Sequence, residues 1–364
     1  QGNVMVMADV GKPRKTYVLM RGNYASPLKE KALDPGTPGV LPAPAGGSPQ
    51  NRLGLARWLF QPEHPLTPRV AVNRYWYMLF GTGIVKTIEE FGSQGDWPSN
   101  LQLLDWLAVD FRKSDWNVKR MLKQMIMSST YRQNARASSQ LVELDPENRL
   151  LGRGPRFRLQ AEFIRDTILS ASGLLVKDIG GRGVKPYQPP GLWNEVSLGG
   201  NVRFVQDHGA KLYRRGMYTY WKRSAPAPSL TIFDTPTREK CVLRRSRTNT
   251  PLQALVLLND PQYIEAARSL AQKVTLETGD SVVARIVLAY RLATAQRPSA
   301  RTLRLLTAAY EEELAVFRKD PDRAKKLLST GESKRDENID AAEHAALTII
   351  SSMILNLDAT VTKG

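Results

Sequence analysis

The chain has 364 residues, 42% of them apolar, and 52 Lys and Arg against 35 Asp and Glu, a formal net charge of +17. That length and apolar share supply a sizeable core in one large domain or two ordinary ones, and no run of about 18 apolar residues offers a membrane span. A single cysteine, Cys241, excludes an internal disulfide and any multi-cysteine metal site; without HExxH, CxxCH, a P-loop or a strand-borne GxGxxG, no cofactor is expected in this chain.

The chain opens on Gln1, with no initiator methionine or signal peptide, so a fragment or a processed product is expected. Residues 4–9 and 15–21 predict two short strands around Gly11-Lys12-Pro13. Residues 22–50, rich in Pro, Gly and Ala, predict a linker or a strapped-down extended segment. The expected division is a tail or junction over 1–24, a linker over 25–48 and a single mainly helical domain over 49–360.

That domain begins with a helix at 51–60, capped by Asn51, and continues with one from Thr67-Pro68 to Gly81. Asn73 and Arg74 stand among apolar neighbours in the second helix, where satisfying backbone or a buried carboxylate is a commoner task than touching substrate. Ser99 can cap a helix over 101–114 that buries Leu103, Leu104, Leu107 and Phe111. Asp115 or Asn117 can start another, in which Met121, Leu122, Met125 and Ile126 form a core stripe.

Residues 159–176 read as a helix bearing Glu162, Arg165 and Asp166. The two carboxylates are four residues apart and so share a face. They suit either an acid/base pair or a charge cluster that holds arginines from elsewhere, and helical carboxylate–arginine clusters favour the second.

Residues 179–209 form a long loop rich in glycine and proline, with Tyr187, Trp193 and Phe204 interspersed; a stretch this long and irregular is ordered for a purpose or disordered, and the aromatics argue for order. Next comes the densest chemistry of the chain. Between Lys211 and Arg247 there are ten Lys or Arg against Asp234 and Glu239. The alternation across 214–223 predicts a strand, and 229–234 a partner strand. Thr250, Pro251 and Gln253 predict a capping box, and Asn259-Asp260-Pro261 ends that helix and can cap the next. Helices follow at 281–292, 299–319 and 338–357, with a charged loop or short helix at 320–337. The fold class is therefore mainly α, with a small β-hairpin or sheet element, long ordered loops and a basic β/loop insert at about 179–249.

Several phrases stand together in order: NRLGLARWL, PLTPRVAVNRYW, FGTGIV, LLDWLA, SSTYRQ, RLQAEFIRD, RRGMYTYWKR, FDTPTREKC, RRSRTNTPLQALVLLND and ILNLD. Together, over about residues 45–360, they resemble the planctomycete family known as domain of unknown function 1553. The resemblance implies a C-terminal module of large extracytoplasmic proteins, periplasmic or secreted, that often carry a c-type cytochrome domain upstream. It implies no reaction, and any haem would belong to another domain.

The basic, ring-rich middle of the chain favours anionic partners. The first expectation is an extracytoplasmic module that binds an anionic extracellular carbohydrate, with processing as the lesser option. Arg214, Arg215, Tyr218, Arg223, Arg244, Arg245 and Trp193 are the expected ligand-binding residues. Hydrolysis would need two carboxylates flanking the glycosidic bond, and Glu162, Asp166, Asp207 and Asp234 are the candidates. The alternatives are an interaction domain docking a cytochrome or other acidic protein surface in an electron-transfer assembly, and nucleic-acid binding, for which only charge speaks. Other domains of the same polypeptide are further expected partners. Cys241 with His208 as nucleophile and base is a remote alternative to a plain apolar cysteine.

Overall fold

The computed structural model describes residues 3–11, 14–48, 50–196 and 203–364. Lys12 and Pro13 of the expected turn and residues 197–202 of the expected loop lie outside them. The chain forms two compact units: one of residues 1–133 with 138–152, the other of 134–137 with 153–364. The described residues are mainly α, with two small two-stranded sheets.

In the first unit, β1 (Thr16–Leu19) pairs antiparallel with β2 (Pro27–Leu33), with a register shift between Tyr17 and Val18. The strand predicted at 4–9 does not form. Its residues are exposed, and β1 has taken as its partner a strand from the stretch read as linker. The rest of that stretch is strapped onto α1 (Arg52–Leu59), where Trp58 Nε1 donates to the Pro42 carbonyl at 2.7 Å. Asn51 caps α1 through Gly54 N, and Gly81, in the left-handed region, ends α2 (Leu66–Phe80). Asn100, one residue past the expected Ser99, caps α3 (Leu101–Lys113), and Asn117 caps α4 (Val118–Met127). A short α5 (Ser139–Leu144) completes the unit.

Its core joins Val72, Trp76 and Phe80 of α2 to Leu104, Leu107 and Phe111 of α3, with Met121 and Met125 of α4 closing one side. Each such side chain stabilises the unit by about 1.5–3 kcal/mol on burial. Asn73 is fully buried and exchanges both amide bonds with Val85, Nδ2 to its carbonyl and Oδ1 from its N–H, each at 2.9 Å. Its task is to satisfy backbone, whereas Arg74 is exposed.

In the second unit, α6 (Ala161–Ser172), α9 (Pro251–Asn259), α11 (Val282–Thr294), α12 (Ala300–Lys319) and α13 (Pro321–Leu328) surround α10 (Pro261–Thr278) and α14 (Ala341–Leu355). The short α7 (Leu192–Glu195) and α8 (Pro228–Thr231) lie between α6 and α9 in the chain, and α15 (Asp358–Val361) follows α14. Alanines at 266, 267 and 271 of α10 and at 345 and 346 of α14 are fully buried, and small side chains let two helix backbones approach closely. Near the end of the chain β4 (Thr362–Lys363) pairs with β3 (Phe157–Arg158), just before α6.

Two sequence expectations fail here for physical reasons. Residues 214–223 hold a 3-10 turn at Gly216–Tyr218 and isolated bridges at Arg214 and Thr219, not a strand, and residues 228–231 are helical. The Arg214 carbonyl and the Gly216 amide, which a ladder would need, are taken by side chains of α6, and among the described residues only Tyr218 and Tyr220 bond another backbone stretch, at Val184. The capping box at Thr250 also fails: Gln253 is fully buried, and its amide donates instead to Ile232 O and Thr248 Oγ1. Asp260 does cap α10, accepting from Gln262 N at 2.9 Å.

Candidate functional site

Helix α6 is the spine on which the basic segment is laid. Arg165 is 1% exposed, and its guanidinium spends its fork on internal acceptors. Nε donates to Gln262 Oε1 at 2.7 Å, Nη2 to the Leu212 carbonyl at 2.6 Å and Nη1 to the Arg214 carbonyl. Burial lowers its pKa, yet a guanidinium stays charged in this range, which makes it a fixed multi-donor staple.

One residue on, Asp166 Oδ1 accepts the Gly216 N–H at 2.6 Å. Burial raises the Asp166 pKa, opposed by that N–H bond and by the guanidinium groups of Arg165 and Arg215. Gly216 is there because nothing larger fits: a Cβ would lie 3.0 Å from Glu162 Cα and 3.1 Å from its carbonyl oxygen. Glu162 itself accepts from Arg245 Nη1 at 2.7 Å, with side chains 13% and 26% exposed. The two carboxylates on one helical face thus hold two different stretches of the same segment.

Arg214 is also consumed. Its guanidinium donates to the carbonyls of Asp178, Gly180 and Arg182 at 3.1, 2.5 and 3.3 Å and lies 3.9 Å from the centre of the Tyr218 ring. The Tyr218 hydroxyl accepts from Gly180 N at 2.7 Å. This stack orders the glycine-rich loop. Asp207 likewise accepts from Lys185 N at 2.8 Å and from Lys211 Nζ at 3.4 Å. Asp234, at φ +61°, accepts the N–H and hydroxyl of Thr248 at 2.6 and 2.9 Å.

A deeper hub was invisible as a site in the sequence. Glu265 of α10 is fully buried; its Oε1 accepts from the Tyr213 hydroxyl at 2.8 Å and from the N–H groups of Glu332 and Ser333 at 2.7 and 2.6 Å. Burial first, then the Glu265 carboxylate, pushes the pKa of Tyr187 well above the usual phenol range; Tyr213 rises as well, from burial and then its hydrogen bond to Glu265. Arg268, three residues on, donates to the Ser333 carbonyl and hydroxyl, both at 2.6 Å. His208 Nδ1 is 2.7 Å from Glu332, so this histidine belongs to the loop's fastening, while Cys241 is exposed.

Uncompensated charge sits elsewhere, on lysines. Lys185 Nζ lies 5.3 Å from the Trp193 ring centre and 5.4 Å from that of Tyr220, and Lys222 Nζ lies 4.9 Å from Trp193. Among the described residues neither ammonium has a carboxylate partner. Trp193 is only 5% exposed and packs edge-on to Phe204 at 5.3 Å, whereas Tyr220 is 48% exposed. Of the remaining expected residues, Arg215 is half-buried beside Asp166, Arg223 is exposed, and Arg244 is exposed but engaged. A cavity within the basic segment, between Arg158, Asp234, Arg245 and Gln253, measures about 10 Å³, room for one water.

Among the described residues no group of three or more His, Cys, Asp or Glu is placed to hold a metal ion, and no helix is long and apolar enough to cross a membrane. Comparison with protein families matches residues 51–310 to PSD1, Protein of unknown function (DUF1553), and the chain belongs to that family. No curated protein and no solved structure matches the chain.

Proposed function

We propose that this member of the family is an extracytoplasmic binding module that holds an anionic carbohydrate on the lysine-and-ring surface of its second unit. The observation that carries this is the convergence of Lys185 and Lys222 on Trp193 and Tyr220 with no acid between them. A ring face steadies an ammonium group without neutralising it, so the positive charge stays available to a sulfate or carboxylate. The half-exposed Tyr220 ring offers an apolar face for a sugar's C–H groups. Binding is favoured over processing because Glu162, Asp166, Asp207 and Asp234 each accept from an internal donor, and three of them hold backbone N–H groups.

The test is a titration of the full chain with sulfated and uronate-containing oligosaccharides alongside neutral ones. Lys185→Ala with Lys222→Ala should weaken binding of the anionic set by at least about tenfold, as expected for losing charge-assisted bonds, at unchanged melting temperature. Equal affinity for neutral and anionic glycans, or no loss in the double variant, would sink the idea.

The same cations also suit docking onto an acidic protein, such as a cytochrome in an electron-transfer assembly. Favouring that alternative are Val205 and Met217, 69% and 64% exposed within the basic segment, since an apolar centre with a charged rim is how docking surfaces are built. The two part on the apolar centre: Val205→Ser with Met217→Ser should weaken docking of an acidic protein and leave oligosaccharide binding alone. Retention of single-stranded nucleic acid at physiological salt would favour the third class instead.

A further inference from the structure

The first unit contains a cleft whose chemistry nothing above uses. It measures about 230 Å³ and lies between the α1–α2 connection and α3. Three prolines, Pro62, Pro65 and Pro68, wall it on one side, and Ala108 and Val109 on the other. Two guanidinium groups line it, each anchored to a proline carbonyl: Arg69 Nη1 donates to Pro65 O at 2.7 Å, and Arg112 Nη1 to Pro62 O. Proline fixes the backbone that presents those carbonyls, so both arginines are held in place before any ligand arrives.

The two arginines are not equivalent. Arg69 Nε donates to Asp105 Oδ1 at 2.6 Å, so that pair is internally neutral. Arg112 has only its carbonyl partner among the described residues, and its Nε and Nη2 remain open. That edge is the one that receives a carboxylate through two parallel bonds. Glu63 and Asp105 add acceptors to the lining. Beneath, His64 is buried, its Nδ1 accepting from Thr67 N at 3.3 Å and its ring edge-on to Trp58 at 4.6 Å, which fixes the wall.

We propose that this cleft binds a single sugar ring bearing a carboxylate, a uronic acid. Its carboxylate meets the open edge of Arg112, its hydroxyls meet acceptors on Asp105 and Glu63, and its C–H face packs on the prolines. Size decides for one ring: the cleft is smaller than the roughly 300–1,000 Å³ that drug-sized ligands fill. The ligand class matches the one proposed for the second unit, but the residues and the unit differ, so either site can fail alone.

The full chain is titrated with glucuronate, its methyl ester, glucose and acetate, followed by calorimetry and by the side-chain ¹H–¹⁵N signal of Arg112 Nε. Glucuronate should bind saturably in the millimolar range and shift that signal, with the ester, glucose and acetate each at least about tenfold weaker. With Lys185→Ala and Lys222→Ala in place, Arg112→Ala should abolish the preference for glucuronate over its ester. Val109→Trp, which fills the mouth from an exposed position and leaves both arginines in place, should weaken glucuronate by a similar factor. Lys185→Ala with Lys222→Ala, which removes the site proposed in the second unit, should leave the glucuronate-dependent shift of the Arg112 Nε signal in place. Acetate binding as tightly as glucuronate, an unchanged preference in Arg112→Ala, or no saturable binding at all would overturn the assignment.

Discussion

Replacing Arg165 by Met is the sharpest probe of how the basic segment is held. Methionine keeps most of the buried volume but offers no donor, so the Leu212 and Arg214 carbonyls and Gln262 Oε1 lose their shared partner inside the fold. Each buried acceptor left without a donor costs about 1–3 kcal/mol, and water entering a loosened segment recovers part of that. A net loss of about 4 kcal/mol is expected, in the range reserved for broken buried networks. Arg165→Lys can serve one or two of the acceptors and should lose about half as much. The effect should also be local. Amides from 212 to 219 should exchange with solvent faster by two or more orders of magnitude, while those of α10 and α14 change far less. The assay is urea denaturation together with hydrogen exchange read by mass spectrometry. Losses below about 1 kcal/mol, or protection at 212–219 that matches the unaltered chain, would refute the view of α6 as the spine.

Two further perturbations address the hub in the second unit. Burial pushes the pKa of His344 down to about 4, because its ring is enclosed; the bond from Nε2 to the Arg268 carbonyl at 3.0 Å opposes that shift, and the charges of Arg335 and Arg268 add to it. The unfolded chain binds a proton near pH 6.5 and the folded one only near 4, so stability is full above about 6.5 and falls as pH drops toward 4, by about 3 kcal/mol in total. Stability measured against pH should show this fall, and His344→Leu should flatten it; an unchanged slope in the variant counts against the assignment. Gly331→Ala should destabilise by about 3 kcal/mol or more, since at φ +86° an added Cβ is strained and would sit inside the Glu265 carboxylate. A shift in urea midpoint worth under about 1 kcal/mol would show that the 331–333 turn yields without cost.

Local features of this fold are legible in its sequence, and distant ones are not. Asn51, Asn117 and Asp260 cap their helices as their positions announce, because a cap and its N–H lie two or three residues apart. The strand expected at 214–223 shows the other case. Alternating side chains describe a surface but not where the carbonyls find donors, and here a guanidinium 49 residues away holds the Arg214 carbonyl at the strand's expected start. The aromatics of the wider 179–249 insert split likewise, with Trp193 pinning the loop from inside while Tyr220 stays half open. Glu265 and Arg268 carry no site signal in the sequence, because two charges three residues apart on a helix read as a solvated face. Only the packing of α14 and the 331–333 turn around them shows that they are buried.

The net charge of +17 therefore says less about binding than the division of labour among the cations. Arginine is used inward: Arg165, Arg214 and Arg268 each bond two or three acceptors at once, mostly backbone carbonyls, and Arg245 meets a half-buried carboxylate. A planar fork of five N–H groups suits that work, and a carbonyl partner leaves the positive charge formally uncancelled but geometrically enclosed. Lys185 and Lys222 cannot staple several carbonyls, and they rest, half-buried, against rings with no carboxylate partner among the described residues. Stability and ligand affinity should then separate by residue type in this unit. Substitutions of the inward arginines should move unfolding and leave affinity per folded molecule alone, and substitutions of the two lysines should do the reverse. A chain in which Arg214→Ala lowered anionic-glycan affinity at full stability would show that this division does not hold.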